Sequence, residues 1–207
     1  MSARNASGAR LRIRAAGFAA VKTMEDFDFD AQPAVRQQIA ALASGAFLAE
    51  ARNVVLLGPP GTGKTHLATA LGIKAAHAGH RVLFATATDW VTRLTDAHRQ
   101  GRLPQELAKL RRYGPIIIDE VGYLPFEQDA ANLFFQLVSS RYERASLIVT
   151  SNKPFGRWGE VFGDDVVAAA MIDRLVHHAE VISLKGDSYR LKNRDLGRVP
   201  SVTTDEP

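Results

Sequence analysis

The chain has 207 residues, 46% apolar and 23% charged, enough for one α/β domain with a full core and too apolar for a disordered chain. It contains no cysteine, which excludes disulfides and thiolate metal sites, and no run of 18 apolar residues that would span a membrane. The net charge of +4 is uneven, since Arg4, Arg10, Arg12, Arg14 and Lys22 make residues 1–24 basic with no acid.

A basic segment on a near-neutral body points to an acidic partner such as nucleic acid; the alternative is a solvated leader. No apolar stretch near the N-terminus has the form of a secretory signal, so the cytoplasm is the expected compartment. Residues 1–24 are small and poorly patterned and read as a flexible basic leader. Residues 25–195 read as the folded domain and 196–207 as a disordered tail.

Val35, Ile39, Leu42 and Phe47 are spaced for a helix over 32–51. Residues 53–57 are a short apolar run ended by Gly-Pro-Pro-Gly, which predicts a buried strand and a loop. A helix over 63–78, stopped at Gly79, follows. Next come a strand over 81–85, helices over 89–99 and 104–112, and an apolar strand over 115–119 that ends at Asp119. A long helix over 128–144 turns Leu133, Phe134, Leu137 and Val138 inward. A strand over 146–150, a helix over 166–178 and a strand over 180–184 complete the pattern. Five apolar strands alternating with helices predict a parallel sheet covered on both faces. Ligands of such sheets bind at the carboxyl ends of the strands.

Gly58-Pro59-Pro60-Gly61-Thr62-Gly63-Lys64-Thr65 matches the P-loop pattern and sits between a predicted strand and a predicted helix. Glycines let backbone N–H groups curl around phosphate, and the helix N-terminus favours an anion. Lys64 is placed to reach the β- and γ-phosphates of ATP, and the Thr65 hydroxyl to ligate Mg²⁺. The strand Ile116-Ile117-Ile118 ends in Asp119-Glu120. Asp119 is the metal-side acid and Glu120 the candidate general base that polarises a water. The next strand ends in Thr150-Ser151-Asn152. Asn152 is the first choice for a polar group between γ-phosphate and water, with Thr150 and Ser151 behind it; the alternative is a turn-forming Asn before Lys153-Pro154. Arg174 can act as a finger on a neighbouring subunit's γ-phosphate, or form an ion pair with Asp173 or Glu180. His177-His178 lacks a third ligand in sequence and reads as a helix C-terminal pair. Trp90, Trp158 and Tyr123 read as packing residues rather than base-stacking ones.

The run from Leu57 to Ala68, which includes His66 beside the P-loop residues, resembles the IstB-type ATPases. So do the stretch from Ile117 to Pro125, Arg141-Tyr142-Glu143-Arg144, Thr150-Ser151-Asn152, Asp173-Arg174-Leu175 and Gly186-Asp187-Ser188-Tyr189-Arg190. That family comprises helper proteins of bacterial insertion sequences, related to DnaC-type helicase loaders within the AAA+ initiator clade. The resemblance covers roughly 23–192. It implies an AAA+ P-loop ATPase with a five-stranded parallel sheet and no large C-terminal lid. It further implies an enzyme that self-associates with ATP on double-stranded DNA and stimulates a transposase, with a helicase loader as the alternative. By position, 58–66 contact the nucleotide, Thr65 and Asp119 hold the metal, and Glu120, Asn152 and Arg174 serve catalysis. The segment Thr23–Phe29 resembles the one that precedes the P-loop in this family, which implies a place against the adenine. Two departures stand out: a short basic leader where relatives carry a helical domain, and Ala168, Ala169 and Ala170 where loaders carry a further arginine.

A small-molecule kinase is a third reading, which the water-polarising Glu120 opposes, because kinases exclude water. A second basic stretch lies at 93–112. There Arg93, Arg99, Arg102, Lys109, Arg111 and Arg112 face only Asp96 and Glu106. In the initiator clade this segment lines the DNA path.

Overall fold

The computed structural model describes residues 3–186, 188 and 189. The five short apolar runs form strands β1 (Asn53–Leu57), β2 (Leu83–Thr86), β3 (Ile116–Val121), β4 (Leu147–Ser151) and β5 (Ala179–Ser183). All pair in parallel, in the order β2-β3-β4-β1-β5. The pleat then sorts their side chains into two cores. Val54, Leu56, Ile117, Ile148 and Ile182 face one, and Val55, Ile116, Ile118, Leu147 and Val149 the other.

The first core is closed by α1 (Ala3–Ala15), α2 (Arg36–Ala43), α3 (Ala46–Ala49) and α4 (Lys64–His77). The second is closed by α5 (Ala87–Arg99), α6 (Leu103–Leu110), α7 (Gln128–Arg141), α8 (Trp158–Phe162) and α9 (Asp165–Val176). Leu133, Phe134, Leu137 and Val138 of α7 are buried, as their spacing predicts.

Three segments differ from the sequence expectation. Where a flexible leader was expected, residues 3–15 form α1, and Ala9 and Ala16 are buried. Arg12 Nε donates to Ala76 O of α4 at 2.8 Å, and Phe84 N donates to Ala16 O at 2.8 Å. The contact face of α1 is made by Ala9, Arg12 and Ile13, so it shows little hydrophobic contrast. The helix expected over 32–51 is broken: a 3₁₀ turn at Pro33–Val35 precedes α2, and Gly45, in the left-handed region at φ 82°, separates α2 from α3. The short α8 buries Trp158, Val161 and Phe162, and five residues are too few to show a period. The expected tail at 196–207 lies outside the described residues.

Trp90 and Trp158 are fully buried, each donating its indole N–H to a backbone carbonyl. Tyr123 does not pack: it is 69% exposed and stands at the strand ends.

Arg141, at the end of α7, is 1% exposed. Its guanidinium donates to Leu110 O at 2.9 Å, Tyr113 O at 3.3 Å, Ser146 O at 3.1 Å and also to Gly114 O. Burial holds its pKa down to about 10. One planar fork therefore ties the α6–β3 loop to the start of β4. Arg141→Ala would strand several buried carbonyls, each worth about 1–3 kcal/mol unpaired. Denaturant unfolding should show a loss of roughly 3 kcal/mol or more, and Arg141→Lys should rescue little because an ammonium cannot span the same carbonyls.

Candidate functional site

The loop between β1 and α4 is shaped by glycines. Gly63 has φ 99°, and a Cβ there would stand 2.5 Å from the Phe27 ring, so no other residue fits. At Gly58, a Cβ would run into the Leu184 carbonyl after β5. Lys64 Nζ donates to Pro59 O at 2.7 Å, and Thr62 Oγ1 donates to the same carbonyl at 2.8 Å. The loop is thus folded on itself over residues 58–64, with its N–H groups at the head of α4.

β3 and β4 meet the loop from the side. Asp119 is 3% exposed, and its Oδ1 accepts from Thr65 Oγ1 at 3.0 Å and from Thr150 Oγ1 at 2.6 Å. Thr150 Oγ1 also accepts the Glu120 backbone N–H at 2.9 Å. The β3–β4 register shifts between Ile118 and Val121, and Glu120 sits there at φ 62°. This bulge breaks the strand's alternation: Asp119 stays buried while Glu120 is exposed and lines the cleft. A non-glycine residue in the left-handed region is costly and clusters at functional sites. Asn152 lines the same cleft, and its Oδ1 is buried with no hydrogen-bond partner among the described residues.

The cleft has a volume of about 1030 Å³. Its walls come from the P-loop, from Glu120, Thr150 and Asn152, and from two segments distant in sequence: one within residues 22–32, and Lys185, Gly186, Ser188 and Tyr189. Segment 22–32 is held down at several points. Thr23 O meets His66 Nε2 at 2.7 Å, and Phe27 packs edge-on to the His66 ring at 5.2 Å. Thr23 donates its hydroxyl and backbone N–H to Asp26, which keeps that carboxyl below its ordinary pKa. Lys74 donates to Glu25 at 2.8 Å and holds that pKa to about 2. Gln32 Nε2 donates to Lys185 O at 2.6 Å, tying the segment to the end of β5. The structure therefore brings 60–66, Glu120 and Asn152 to one cleft, with Asp119 buried beside it on Thr65 and Thr150, and His66 also anchors the neighbouring segment. Thr150, a fallback in the sequence reading, is the residue that positions both acids, and Gln32 had no signal at all. In the expected closing motif Gly186–Arg190, Asp187 and Arg190 lie outside the described residues.

Arg174, half-buried on α9, does not line this cleft. Its guanidinium stacks over Phe135 at 5.2 Å and Tyr142 at 5.4 Å instead of pairing with Asp173 or Glu180. Glu180 accepts from Arg52 at 2.8 Å. In the basic stretch, Arg93 is consumed by Glu106 at 2.5 Å and by the Trp90 ring. Arg99, Arg102, Lys109, Arg111 and Arg112 are exposed. No described helix is long and apolar enough to cross a membrane.

Residues 1–197 match the family described as IstB-like ATP binding protein. The chain is 48% identical over 202 residues to the protein named for ATP binding in insertion sequence IS21 of Pseudomonas aeruginosa, across 97% of this chain and 76% of that protein. Among solved structures it resembles AMPPCP-bound DnaA from Aquifex aeolicus, with a TM-score of 0.67 at 20% identity over 85% of this chain and 54% of that one. It also resembles the DnaC helicase loader, with a TM-score of 0.63 at 19% identity over 84% and 99%. The structural likenesses establish an AAA+ P-loop fold, and the chain spans only about half of the DnaA chain.

Proposed function

We propose, on the premise that this chain belongs to the IstB-like ATP-binding protein family, that it hydrolyses the ATP it binds and uses the cycle to assemble on double-stranded DNA and promote the work of a partner transposase. The observation that carries hydrolysis is the pairing at the β3 end: a buried Asp119 bonded to Thr65, next to a Glu120 turned outward by the bulge. The donors around Asp119 are hard oxygens, the set that suits Mg²⁺. Thr65 and Asp119 would hold that ion, whose charge would stabilise the β- and γ-phosphate oxygens. Lys64 binds the same phosphates, Glu120 takes a proton from the attacking water, and Asn152, which lines the cleft, orients that water through its amide. Arg174 reaches the γ-phosphate of a neighbouring subunit in the assembled state.

The direct test is phosphate release without any added acceptor, with and without duplex DNA. Turnover without an acceptor, raised by DNA, is expected. Turnover only when a small-molecule hydroxyl is supplied would make the protein a kinase.

The exposed arginines of 93–112 are the proposed DNA contacts. Binding should be sequence-tolerant and ATP-dependent, and should fall with salt at a log–log slope of about −0.9 per phosphate. Reversing charge at Arg99, Arg102 and Arg111 should flatten that slope and leave ATP affinity unchanged. Deleting residues 1–22 is a poor test of the N-terminal charges, because Arg12 is bonded to Ala76 and Lys22 lines the cleft. Arg10→Glu with Arg14→Glu tests them without stripping α1 from α4. DNA affinity unchanged at low salt in both variants would move the DNA face elsewhere.

A further inference from the structure

We propose that Glu143, His177 and His178 form a binding site for a divalent transition metal, best matched by Zn²⁺. The sequence offered two adjacent histidines and no third ligand. The fold supplies it, because the chain leaves α7 through Tyr142-Glu143 toward β4 and leaves α9 through His177-His178 toward β5, the two strands that flank β1.

Glu143 Oε1 lies 3.8 Å from His177 Nδ1 and 3.6 Å from His178 Nε2, and all three ligand atoms fall within 4.8 Å of one another. With metal–nitrogen distances of about 2.0–2.1 Å, tetrahedral ligands stand about 3.3–3.4 Å apart. The three atoms thus already stand within a few tenths of an ångström of two tetrahedral edges. All three residues are exposed, so solvent can fill the fourth position and the ion can enter freely. Two imidazoles and one carboxylate select a borderline ion over Mg²⁺, which prefers an all-oxygen shell. This separates the site from the Thr65–Asp119 pair, which lies at the carboxyl ends of the strands; Glu143 and the histidines precede β4 and β5 and lie at the amino ends.

The neighbouring side chain links the site to Arg174. The Tyr142 hydroxyl is 2.8 Å from His177 Nδ1, and the Tyr142 ring carries the Arg174 guanidinium. A metal on Nδ1 takes the lone pair facing Tyr142, so that hydrogen bond and the ion exclude each other.

The test uses the untagged full chain without nucleotide, in excess Mg²⁺, titrated with Zn²⁺ by calorimetry and by competition with a chromogenic chelator. One Zn²⁺ per chain is expected. His177→Ala, His178→Ala and Glu143→Gln should each weaken it by at least the ~10–100-fold that loss of an outer-shell partner costs. His98→Ala, an exposed histidine on α5, should bind as the parent does. Circular dichroism and thermal unfolding without metal verify that each variant is folded; these surface positions should not alter either. Parent-like Zn²⁺ binding in the three variants, or equal weakening by His98→Ala, would overturn the site and leave only adventitious histidine binding.

Discussion

Glu120→Gln is expected to leave ATP affinity within a few-fold of the parent and to lower phosphate release by about 10²–10⁴-fold. The substitution keeps the size of the side chain, and the backbone N–H bond to Thr150 that supports the left-handed turn is untouched. Asp119 keeps both its hydroxyl donors. What is lost is the one exposed carboxylate at the β3 end that faces the cleft and can accept a proton from water. Nucleotide affinity and phosphate release must be measured separately, because Lys64→Ala should abolish turnover by a different route, the loss of tight binding. Hydrolysis by Glu120→Gln at near-parental rate would assign the base elsewhere.

Arg174→Ala is expected to lower turnover by about 10³–10⁵-fold, the worth of an arginine finger, while each chain still binds ATP. The guanidinium is pre-positioned on Phe135 and Tyr142, which fixes its direction without neutralising it. Mixing Arg174→Ala with Lys64→Ala provides the decisive measurement. Each is inactive alone, but at a mixed interface a chain with an intact P-loop can meet a chain with an intact Arg174. Recovered turnover in mixed assemblies is expected; none, with assembly demonstrated, would remove Arg174 from this role.

The parts of this site that could be read from sequence are those contiguous in the chain. The P-loop and Asp119-Glu120 declare themselves because strand, loop and helix must follow one another to present them. The strand order could not be read that way: β4 lies between β1 and β3, so Thr150 comes between the two motifs and bonds to Asp119. The same holds for the bulge at Glu120, which exists only relative to the β4 register. Arg141 stood in the sequence only within a motif of the resemblance, with no sign of its role, because the four carbonyls that enclose it come together only in the fold. Glu143 meets His177 and His178 only once α7 and α9 are packed. Errors in local structure had local causes: Gly45 broke a periodic run, and a contact face mixing Ala9, Arg12 and Ile13 gave α1 no visible apolar period.

The bond from Gln32 to Lys185 joins residues 153 apart in sequence, and with it the cleft receives walls from both ends of the domain. Closing so long a loop is slow and entropically costly, so it belongs late in folding. A ribosome-bound chain that has released β1 and α4 already owns a complete P-loop, yet its nucleotide cleft still lacks the wall after β5. ATP binding is therefore expected to be tightest once the sheet is complete, so that nucleotide acts as a latch on the finished domain. It stabilises the folded state by RT ln(1 + [L]/Kd), about 2.7 kcal/mol at a ligand concentration of 100 Kd, and less for chains that stop short of β5.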